Sequence, residues 1–346
     1  MSGLFDRSLA DLLNGSLAWL KRRRSAWRNG NLSDAEVRDK LFELLAGVLK
    51  TTTLELSVKR RVKFADLLGE AKGNLLMFAD SEEKIDEAQL RYARNLFHRM
   101  ALTYLSGRPL AYIVGYTVFM GLEIICTEDV LIPRSDSEVL LERILDVLLA
   151  EGLSSEFYRG ARILEIGTGS ACLALALQAE RVRTAGARVA TLVATDNSAR
   201  ALGVAARNVE AYYAEHLVDL VEADIYPPAE AHGIFDLIFS NPPYIPTADL
   251  AGLDAEVREH EPLAALDGGP DGLAIIRRIL ADLQRYLRPG GYLLLEHGYD
   301  QRESIRALFE EWADPDGKFR LGDIEQYADY AGNPRVISAR LRSREK

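Results

Sequence analysis

The chain reads Arg162-Ile163-Leu164-Glu165-Ile166-Gly167-Thr168-Gly169 where its pattern changes to alternating strands and helices. The apolar residues before Gly167 predict a buried strand, and the two glycines allow a tight turn that brings the backbone close to a ligand. Further strands are predicted at 190–195, 218–221, 235–239 and 292–296, and helices at 173–185, 199–214, 273–287 and 301–312. This alternation predicts a parallel sheet covered by helices on both faces.

The end of the chain departs from this alternation. Residues 319–321 and 336–341 are two short strand-like stretches that can pair as an antiparallel hairpin across Asn333-Pro334. An antiparallel edge is common on large parallel sheets. We therefore expect a doubly wound α/β sheet that ends in an antiparallel hairpin.

The first hundred residues have the periodicity of helices instead. Leucines recur at helical spacing from Leu9 to Leu20, Ser33 and Glu36 have the spacing of a capping box, and an apolar stripe runs from Ile85 to Met100. Three amphipathic helices can bury their stripes on one another. The pattern therefore predicts a small all-α domain.

These patterns divide the chain into three predicted segments. The helical domain covers residues 1–106, and we expect it to recognise the substrate. Turn residues and β-branched residues around Gly121 predict a β-hairpin connector at 107–130. The sheet domain then covers 131–346 and opens with a helix that runs to about residue 150.

Composition excludes several classes of protein. The 346 residues carry a net charge of −10, which argues against broad, charge-driven binding of nucleic acid. The one concentrated basic run, Lys21-Arg22-Arg23-Arg24, is either a solvated helix end or a contact with RNA. Cys126 and Cys172 have no zinc spacing, so no metal is expected. Without a signal peptide or an apolar stretch that could cross a bilayer, we expect a cytoplasmic protein.

Three acidic residues at three strand ends indicate the cofactor. Gly167 and Gly169 alone are weak evidence, and Cys172 replaces the third glycine of the dinucleotide fingerprint. Glu165 would be unfavourable beside a pyrophosphate but favourable beside the sulfonium and ammonium groups of S-adenosylmethionine. Asp196 ends the second strand, where it can accept both ribose hydroxyls, and Asp224-Ile225 after the third strand suits the edge and face of adenine.

Asn241-Pro242-Pro243-Tyr244 follows the predicted strand 235–239. Two successive prolines cannot continue a strand's hydrogen-bond ladder, so the chain must leave the sheet there. The Asn241 amide and the unpaired carbonyl groups can accept hydrogen bonds from an NH2 group, and the Tyr244 ring can lie against a flat substrate. Because open α/β sheets bind ligands at the carboxyl ends of their strands, we predict catalysis on a planar nitrogen.

Six stretches of the chain resemble the HemK/PrmC family of release factor glutamine methyltransferases. The resemblance covers about residues 107–341, and the flanking stretches are more specific than the Asn-Pro-Pro-Tyr sequence alone. The matching stretches are Ile132-Pro133-Arg134, Asn241-Pro242-Pro243-Tyr244-Ile245, residues 258–266, residues 271–273, Leu295-Glu296-His297-Gly298 and residues 329–336.

This resemblance implies a Rossmann-like class I methyltransferase fold that uses S-adenosylmethionine. It implies that the substrate is a glutamine in the Gly-Gly-Gln motif of a peptide chain release factor. Asn241, Pro242 and Tyr244 are the implied catalytic residues, and the substrate site adds Pro243 and Arg134. Arg134 either contacts ligand or anchors the connector. The implied cofactor contacts are Glu165, Gly167, Thr168, Gly169, Asp196, Asp224, Ile225 and Asn241.

The expected chemistry is direct in-line transfer of the methyl group to an amide nitrogen. This nitrogen is a poor nucleophile because its lone pair is delocalised into the carbonyl group. If Asn241 and the Pro242 carbonyl accept its two hydrogens, they orient it and favour the positive charge that develops there. His260 and His297 are candidate bases, but the proton can leave after the transfer.

The chain departs from the family pattern at two positions and leaves four alternatives open. Ala171 stands where the family usually has a further glycine, and Met120 where an aromatic residue is common. The alternatives are a glutamine methyltransferase for a ribosomal protein, a nucleic-acid adenine methyltransferase that flips a base against Tyr244, a non-catalytic adaptor that retains the fold, and an NAD-dependent dehydrogenase. Cofactor titration separates the last two from the methyltransferases.

Overall fold

The computed structural model describes residues 8–22, 33–49, 87–150, 160–185 and 189–343. The chain divides into two compact units, Met1–Gly115 and Tyr116–Lys346. Parts of two predicted features lie outside the described residues. These are Ile85 of the third predicted helix, and Arg23 and Arg24 of the basic run.

The described part of the first unit consists of helices around one apolar core. Ser33 and Glu36 form the predicted capping box, in which the Glu36 N–H donates to Ser33 Oγ at 3.3 Å and the Ser33 N–H donates to the Glu36 carboxylate at 2.6 Å. His98 lies in the helix packing, 2.9 Å from Ser16 Oγ and stacked on Trp19. The helices are α1 Leu9–Lys21, α2 Asp34–Leu49, α3 Glu87–Leu105 and α4 Leu110–Val114.

The β-hairpin predicted around Gly121 follows a short helix. Helix α4 packs Leu110, Ile113 and Val114 against the core of the first unit, and Gly115 ends it in the left-handed conformation (φ 89°). Strand β1, Tyr116–Phe119, then pairs antiparallel with β2, Leu122–Ile125. The division between the two units, after Gly115, falls within the predicted connector 107–130.

The second unit is built on a seven-stranded sheet. Its strands are β3 Ile163–Ile166, β4 Leu192–Asp196, β5 Val218–Glu222, β6 Phe235–Ser240, β7 Leu287–Glu296, β8 Phe319–Ala328 and β9 Pro334–Ser343. They lie in the order β5-β4-β3-β6-β7-β9-β8, with β3 to β7 parallel and with β9 antiparallel to both of its neighbours. The predicted α/β sheet with an antiparallel C-terminal hairpin is confirmed.

Helices cover the sheet, and one predicted helix is divided. Residues 273–287 form two short helices, and the chain already enters β7 at Leu287, which pairs with Phe235. Residues 289–291, Pro-Gly-Gly, belong to this strand although their sequence is typical of a turn. The helices are α5 Ser137–Ala150, α6 Cys172–Ala185, α7 Ala199–Ala211, α8 Ala229–His232, α9 Ala255–His260, α10 Ala274–Ala281, α11 Leu283–Tyr286 and α12 Arg302–Glu311, with 3₁₀ turns at Asp249–Gly252 and Leu263–Ala265.

The sheet is buried between two helical layers. Its central strands β3 and β6 are buried at nearly every position, as expected for parallel strands that are covered on both faces. On one face, side chains of β6, β7 and β9 pack against α10, α11 and α12 in a single cluster. This rigid core holds the carboxyl ends of β3, β4, β5 and β6 at one edge of the sheet.

The chain leaves β6 at the two prolines and pairs with another loop. The Ile245 N–H donates to the Leu266 carbonyl at 3.0 Å, and the Gly268 N–H donates back to the Ile245 carbonyl at 2.8 Å. Gln301 Nε2 donates to the Tyr244 carbonyl at 2.8 Å. A Cβ atom at Gly272 would overlap both Gln301 Nε2 and this carbonyl oxygen. The loop that carries Gly272 therefore sets the path of the chain after Asn241.

Within the described ranges, every helix is too short or too polar to span a lipid bilayer.

Replacing Gly272 tests this close approach. Gly332 is the matched control, since it has a similar φ (87° against 74°) but nothing near its Cβ position. We expect Gly332→Ala to lower the free energy of unfolding by about 1–2 kcal/mol, the cost of a left-handed backbone. Gly272→Ala should lower the free energy of unfolding by roughly 3 kcal/mol or more, because the new Cβ atom is overpacked as well as attached to a left-handed backbone. Equal thermal unfolding midpoints for the two variants would contradict the steric argument.

Candidate active site

A cavity of about 200 Å³ lies at the carboxyl edge of the parallel strands. It is lined by the residues that follow β3, β4, β5 and β6, by the loop before α5 and by the Leu263–Ala265 turn. Tyr244 is the one sequence-predicted site residue that is not part of this lining. Those that line it are Arg134, Glu165, Gly167, Thr168, Gly169, Asp196, Asp224, Ile225, Asn241, Pro242 and Pro243.

Glu165 is a buried carboxyl group in the wall of this cavity. It is 2% exposed and accepts a hydrogen bond from Thr168 Oγ1 at 2.7 Å. Burial raises its pKa to about 8, and the negative charge of Asp196 acts in the same direction. Thr168 lowers the pKa but does not offset burial. A cation in the cavity would favour the ionised form of Glu165.

The turn after β3 has a backbone that suits glycine at three positions. Gly167 and Gly169 have φ of 71° and 56°, and Ala171 is also left-handed with φ 63°. A residue with a Cβ atom is disfavoured in this conformation. Ala171, where the family resemblance implies a further glycine, forms this turn with a left-handed backbone.

Asp196 links this turn to the end of β4. Its Oδ2 accepts the Gly169 N–H and its Oδ1 accepts the Ser198 N–H, both at 2.9 Å. The Thr168 N–H donates to the Thr195 carbonyl at 2.9 Å. Each carboxylate oxygen retains a lone pair for a ligand hydroxyl. The structure therefore holds the Asp196 carboxylate in a fixed orientation at the cavity.

Asp224 and Ile225 form the part of the wall that follows β5. Asp224 pairs with Arg278 of α10 at 2.6 Å. Ile225 has φ 75°, which is a strained conformation for a β-branched residue. Its carbonyl accepts a hydrogen bond from Thr195 Oγ1 at 2.9 Å. Sequence reasoning missed Arg278, because its chain distance from Asp224 leaves no local pattern.

The charges of the lining fit a cationic ligand such as S-adenosylmethionine. Its carboxyl groups are Asp129, Glu165, Asp196 and Asp224, while its two arginines, Arg134 and Arg278, each pair with a carboxylate. The buried Glu165 in particular has no cationic partner among the described residues. No group of His, Cys, Asp or Glu residues within the described ranges could hold a metal ion.

Asn241 is held by two residues that sequence reasoning did not assign to the site. Its Nδ2 donates to Ser137 Oγ at 2.9 Å, and Ser137 Oγ donates to Glu296 Oε2 at 2.7 Å. Ser137 and Glu296 are 3% and 1% exposed. Glu296 lies in one of the stretches that carry the family resemblance, and that match was the only sign in the sequence that it belongs to the site.

The Tyr244 hydroxyl contacts this group, although Tyr244 is not part of the cavity lining. It donates to Glu296 Oε1 at 3.4 Å, and burial raises the pKa of the phenol. His297 is buried with Nδ1 2.8 Å from the Gly298 carbonyl, and burial lowers its pKa. Neither His260 nor His297 lines the cavity.

Arg134 lies at the cavity and forms an ion pair with a buried carboxylate. Its guanidinium pairs with Glu261, whose side chain is 1% exposed, and it also lines the cavity. The other carboxylate oxygen of Glu261 accepts the Ile132 N–H at 3.2 Å. Glu261 thus anchors the whole loop before α5 beside the cavity.

Comparison with known proteins identifies related enzymes. Residues 143–252 match the family model "Methyltransferase small domain". The release factor glutamine methyltransferase of Geobacter sulfurreducens is 39% identical over 67% of this chain and 74% of that protein. The enzyme of the same name from Agrobacterium fabrum is 36% identical over 82% of this chain and 90% of that protein.

Among solved structures, the N-terminal domain of human METTL16 in complex with SAH is 18% identical, with a TM-score of 0.41. The alignment covers 64% of this chain and 76% of that one.

The raised pKa of Glu165 predicts that cofactor binding depends on pH. If the carboxylate faces a cationic group, binding below the pKa of about 8 must release its proton. Affinity for S-adenosylmethionine should therefore rise by up to about tenfold per pH unit between pH 6 and 8. Calorimetry in buffers of different ionisation enthalpy measures this proton release. Glu165→Gln should remove the part of this pH dependence that comes from Glu165. If affinity changes with pH as steeply in that variant as in the wild type, Glu165 is not the group that releases the proton.

Asp196→Ala should weaken cofactor binding by roughly 1.5–3 kcal/mol, the scale of a hydrogen bond to a charged group. The variant also leaves the Gly169 N–H without its acceptor, so the glycine turn loses a contact. Asp196→Asn keeps an acceptor oxygen and should bind with intermediate affinity. Titration of the three proteins with S-adenosylmethionine checks this order, and equal affinities would show that Asp196 does not bind the cofactor.

Proposed function

We propose that this chain, which belongs to the family of release factor glutamine methyltransferases, methylates the side-chain amide nitrogen of a glutamine in a peptide chain release factor. The methyl donor is S-adenosylmethionine. The observation that best supports this function is one cavity that brings together an acidic glycine turn and the amide of Asn241. The Gly-Gly-Gln motif is the proposed position of the glutamine.

The cofactor site uses the acidic wall of the cavity. When bound, S-adenosylmethionine supplies an electrophilic methyl group on a positively charged sulfur. Glu165 compensates positive charge, the Asp196 carboxylate accepts ribose hydroxyls, and Asp224-Ile225 contacts the adenine. Gly167, Thr168 and Gly169 bring the backbone close to the ligand.

Asn241 and Pro242 position the acceptor. The Asn241 Oδ1 atom and the Pro242 carbonyl oxygen each accept one hydrogen of the substrate NH2 group. These two bonds turn the nitrogen toward the cofactor side of the cavity and stabilise the positive charge that develops on it. No base is needed for the transfer, because the methylated nitrogen is then acidic enough to lose its proton to water.

Pro243, Tyr244 and Arg134 complete the substrate site in this proposal. Arg134 is held at the cavity by Glu261 and can contact the peptide around the glutamine. Tyr244 has its hydroxyl group on Glu296, so its contribution comes from the ring and backbone of the turn.

In this proposal the helical domain recognises the body of the release factor, and the cavity binds the cofactor and the glutamine side chain. Since release factors end translation on the ribosome, the proposed location is the cytoplasm. The relatives are named for release factors, so neither ribosomal-protein nor nucleic-acid methylation is favoured.

Asn241→Ala should lower turnover by on the order of 100-fold or more, the scale for loss of one preorganised polar group in an active site. The assay combines labelled S-adenosylmethionine with a purified release factor, followed by mass mapping of the methylated residue. A release factor with glutamate in place of the motif glutamine is the control and should take up no label. Near-normal turnover of Asn241→Ala, or label on another residue, would contradict the proposal.

A further inference from the structure

Four polar groups from separate elements meet at the cavity, and two of them, Asn241 and Ser137, are part of its lining. Asn241 follows β6, Ser137 begins α5, Glu296 ends β7, and Tyr244 belongs to the turn after the prolines. Their hydrogen bonds run from Asn241 Nδ2 to Ser137 Oγ (2.9 Å), from Ser137 Oγ to Glu296 Oε2 (2.7 Å) and from the Tyr244 hydroxyl to Glu296 Oε1 (3.4 Å). We call these groups the amide relay.

The direction of the amide relay follows from counting protons. A serine hydroxyl has one proton, and Ser137 donates it to Glu296. Toward Asn241 the Ser137 oxygen can then only accept a bond. The NH2 end of the Asn241 amide must therefore face Ser137, which leaves its Oδ1 end for the cavity that Asn241 lines.

We propose that Ser137 and Glu296 are positioning residues that keep Asn241 Oδ1 directed at the substrate amide, and that they do so only while Glu296 is ionised. This inference rests on the proposed function, in which Oδ1 accepts a hydrogen of the substrate NH2 group. A substrate NH2 group cannot be held by a second NH2 group, so the orientation of the Asn241 amide decides whether the site works.

Protonation of Glu296 reverses the relay. A neutral carboxyl group donates its own proton, and the shorter of its two contacts is the one to Ser137. The Ser137 proton then turns toward Asn241, which can accept it only through Oδ1. The Asn241 amide rotates, and its NH2 group faces the cavity.

The surroundings of Glu296 place this change near neutral pH. Burial raises its pKa to about 7, and Asp136 before α5 acts in the same direction. Arg335 of β9 lowers the pKa, as do the hydroxyl groups of Ser137 and Tyr244. Arg335 is itself shared with two carboxylates, Asp136 at 2.9 Å and Asp329 at 3.3 Å, so it does not neutralise Glu296 alone.

Steady-state kinetics at saturating S-adenosylmethionine and release factor test the inference. The kcat of the wild-type enzyme should rise with pH through one ionisation near pH 7, and Glu296→Gln should lose this dependence. Ser137→Ala should lower kcat by roughly 10–100-fold, the scale for losing a group that orients a functional side chain, while its affinity for S-adenosylmethionine stays unchanged. Ser137→Thr keeps the hydroxyl group and should restore much of the activity.

Ser135→Ala is the matched control, because Ser135 is an exposed serine in the same turn. It should keep the wild-type kcat and pH profile. A wild-type kcat in Ser137→Ala, or a pH dependence that persists in Glu296→Gln, would overturn the inference.

A spectroscopic measurement separates the relay from the reaction itself. The side-chain NH2 resonances of Asn241, assigned by their loss in Asn241→Ala, should shift with an apparent pKa near 7 in the wild-type protein and not in Glu296→Gln. Absence of this shift overturns the relay. If the shift is present but no release factor is methylated, the proposed function fails while the relay stands.

Discussion

The burial of two carboxyl groups beside one strand is the constraint on which the site depends. Glu165 is the next-to-last residue of β3 and Glu296 ends β7, and these strands flank β6, which leads into Asn241. Burial raises the pKa of both groups above the unfolded value, so each favours folding most in its protonated form. That contribution is lost as pH rises through about 7 and 8. The hydroxyl groups of Ser137 and Thr168 donate hydrogen bonds to these carboxylates and partly offset the cost of burying them in the ionised form.

The two carboxyl groups have different roles because they have different neighbours. Glu165 lines the cavity and, among the described residues, has only Thr168 and backbone groups as partners, which leaves its charge available to a ligand. Glu296 lies behind the cavity, where two hydroxyl groups and Arg335 surround it. One carboxylate therefore acts on the cofactor and the other on the orientation of Asn241. Ile225, whose backbone is strained, lies in the wall of the same cavity.

Most of the fold could be predicted from local patterns. Alternating strands and helices, with a hairpin at the end, led to the sheet that the structure contains. The errors occur where packing competes with local preference. The helix predicted over 273–287 ends early, because Leu287 already pairs with Phe235 of β6, and residues 289–291 lie in an irregular part of β7 before the pairing resumes at Tyr292. Leu110–Val114, within the segment predicted as the connector, forms a short helix whose apolar side chains pack on the core of the first unit.

The sequence alone determined which residues reach the carboxyl edge of the sheet, because strand ends, glycines and prolines are local signals. Eleven of the predicted site residues line one cavity for that reason, and Tyr244 does not. Only the tertiary structure decided which side chains hold these site residues in place. Ser137, Glu261, Arg278 and Glu296 act through partners that are distant in the chain, and a hydrogen bond across such a distance leaves no periodicity or spacing in the sequence. The orientation of the Asn241 amide depends on such bonds, so it is a property of the folded chain.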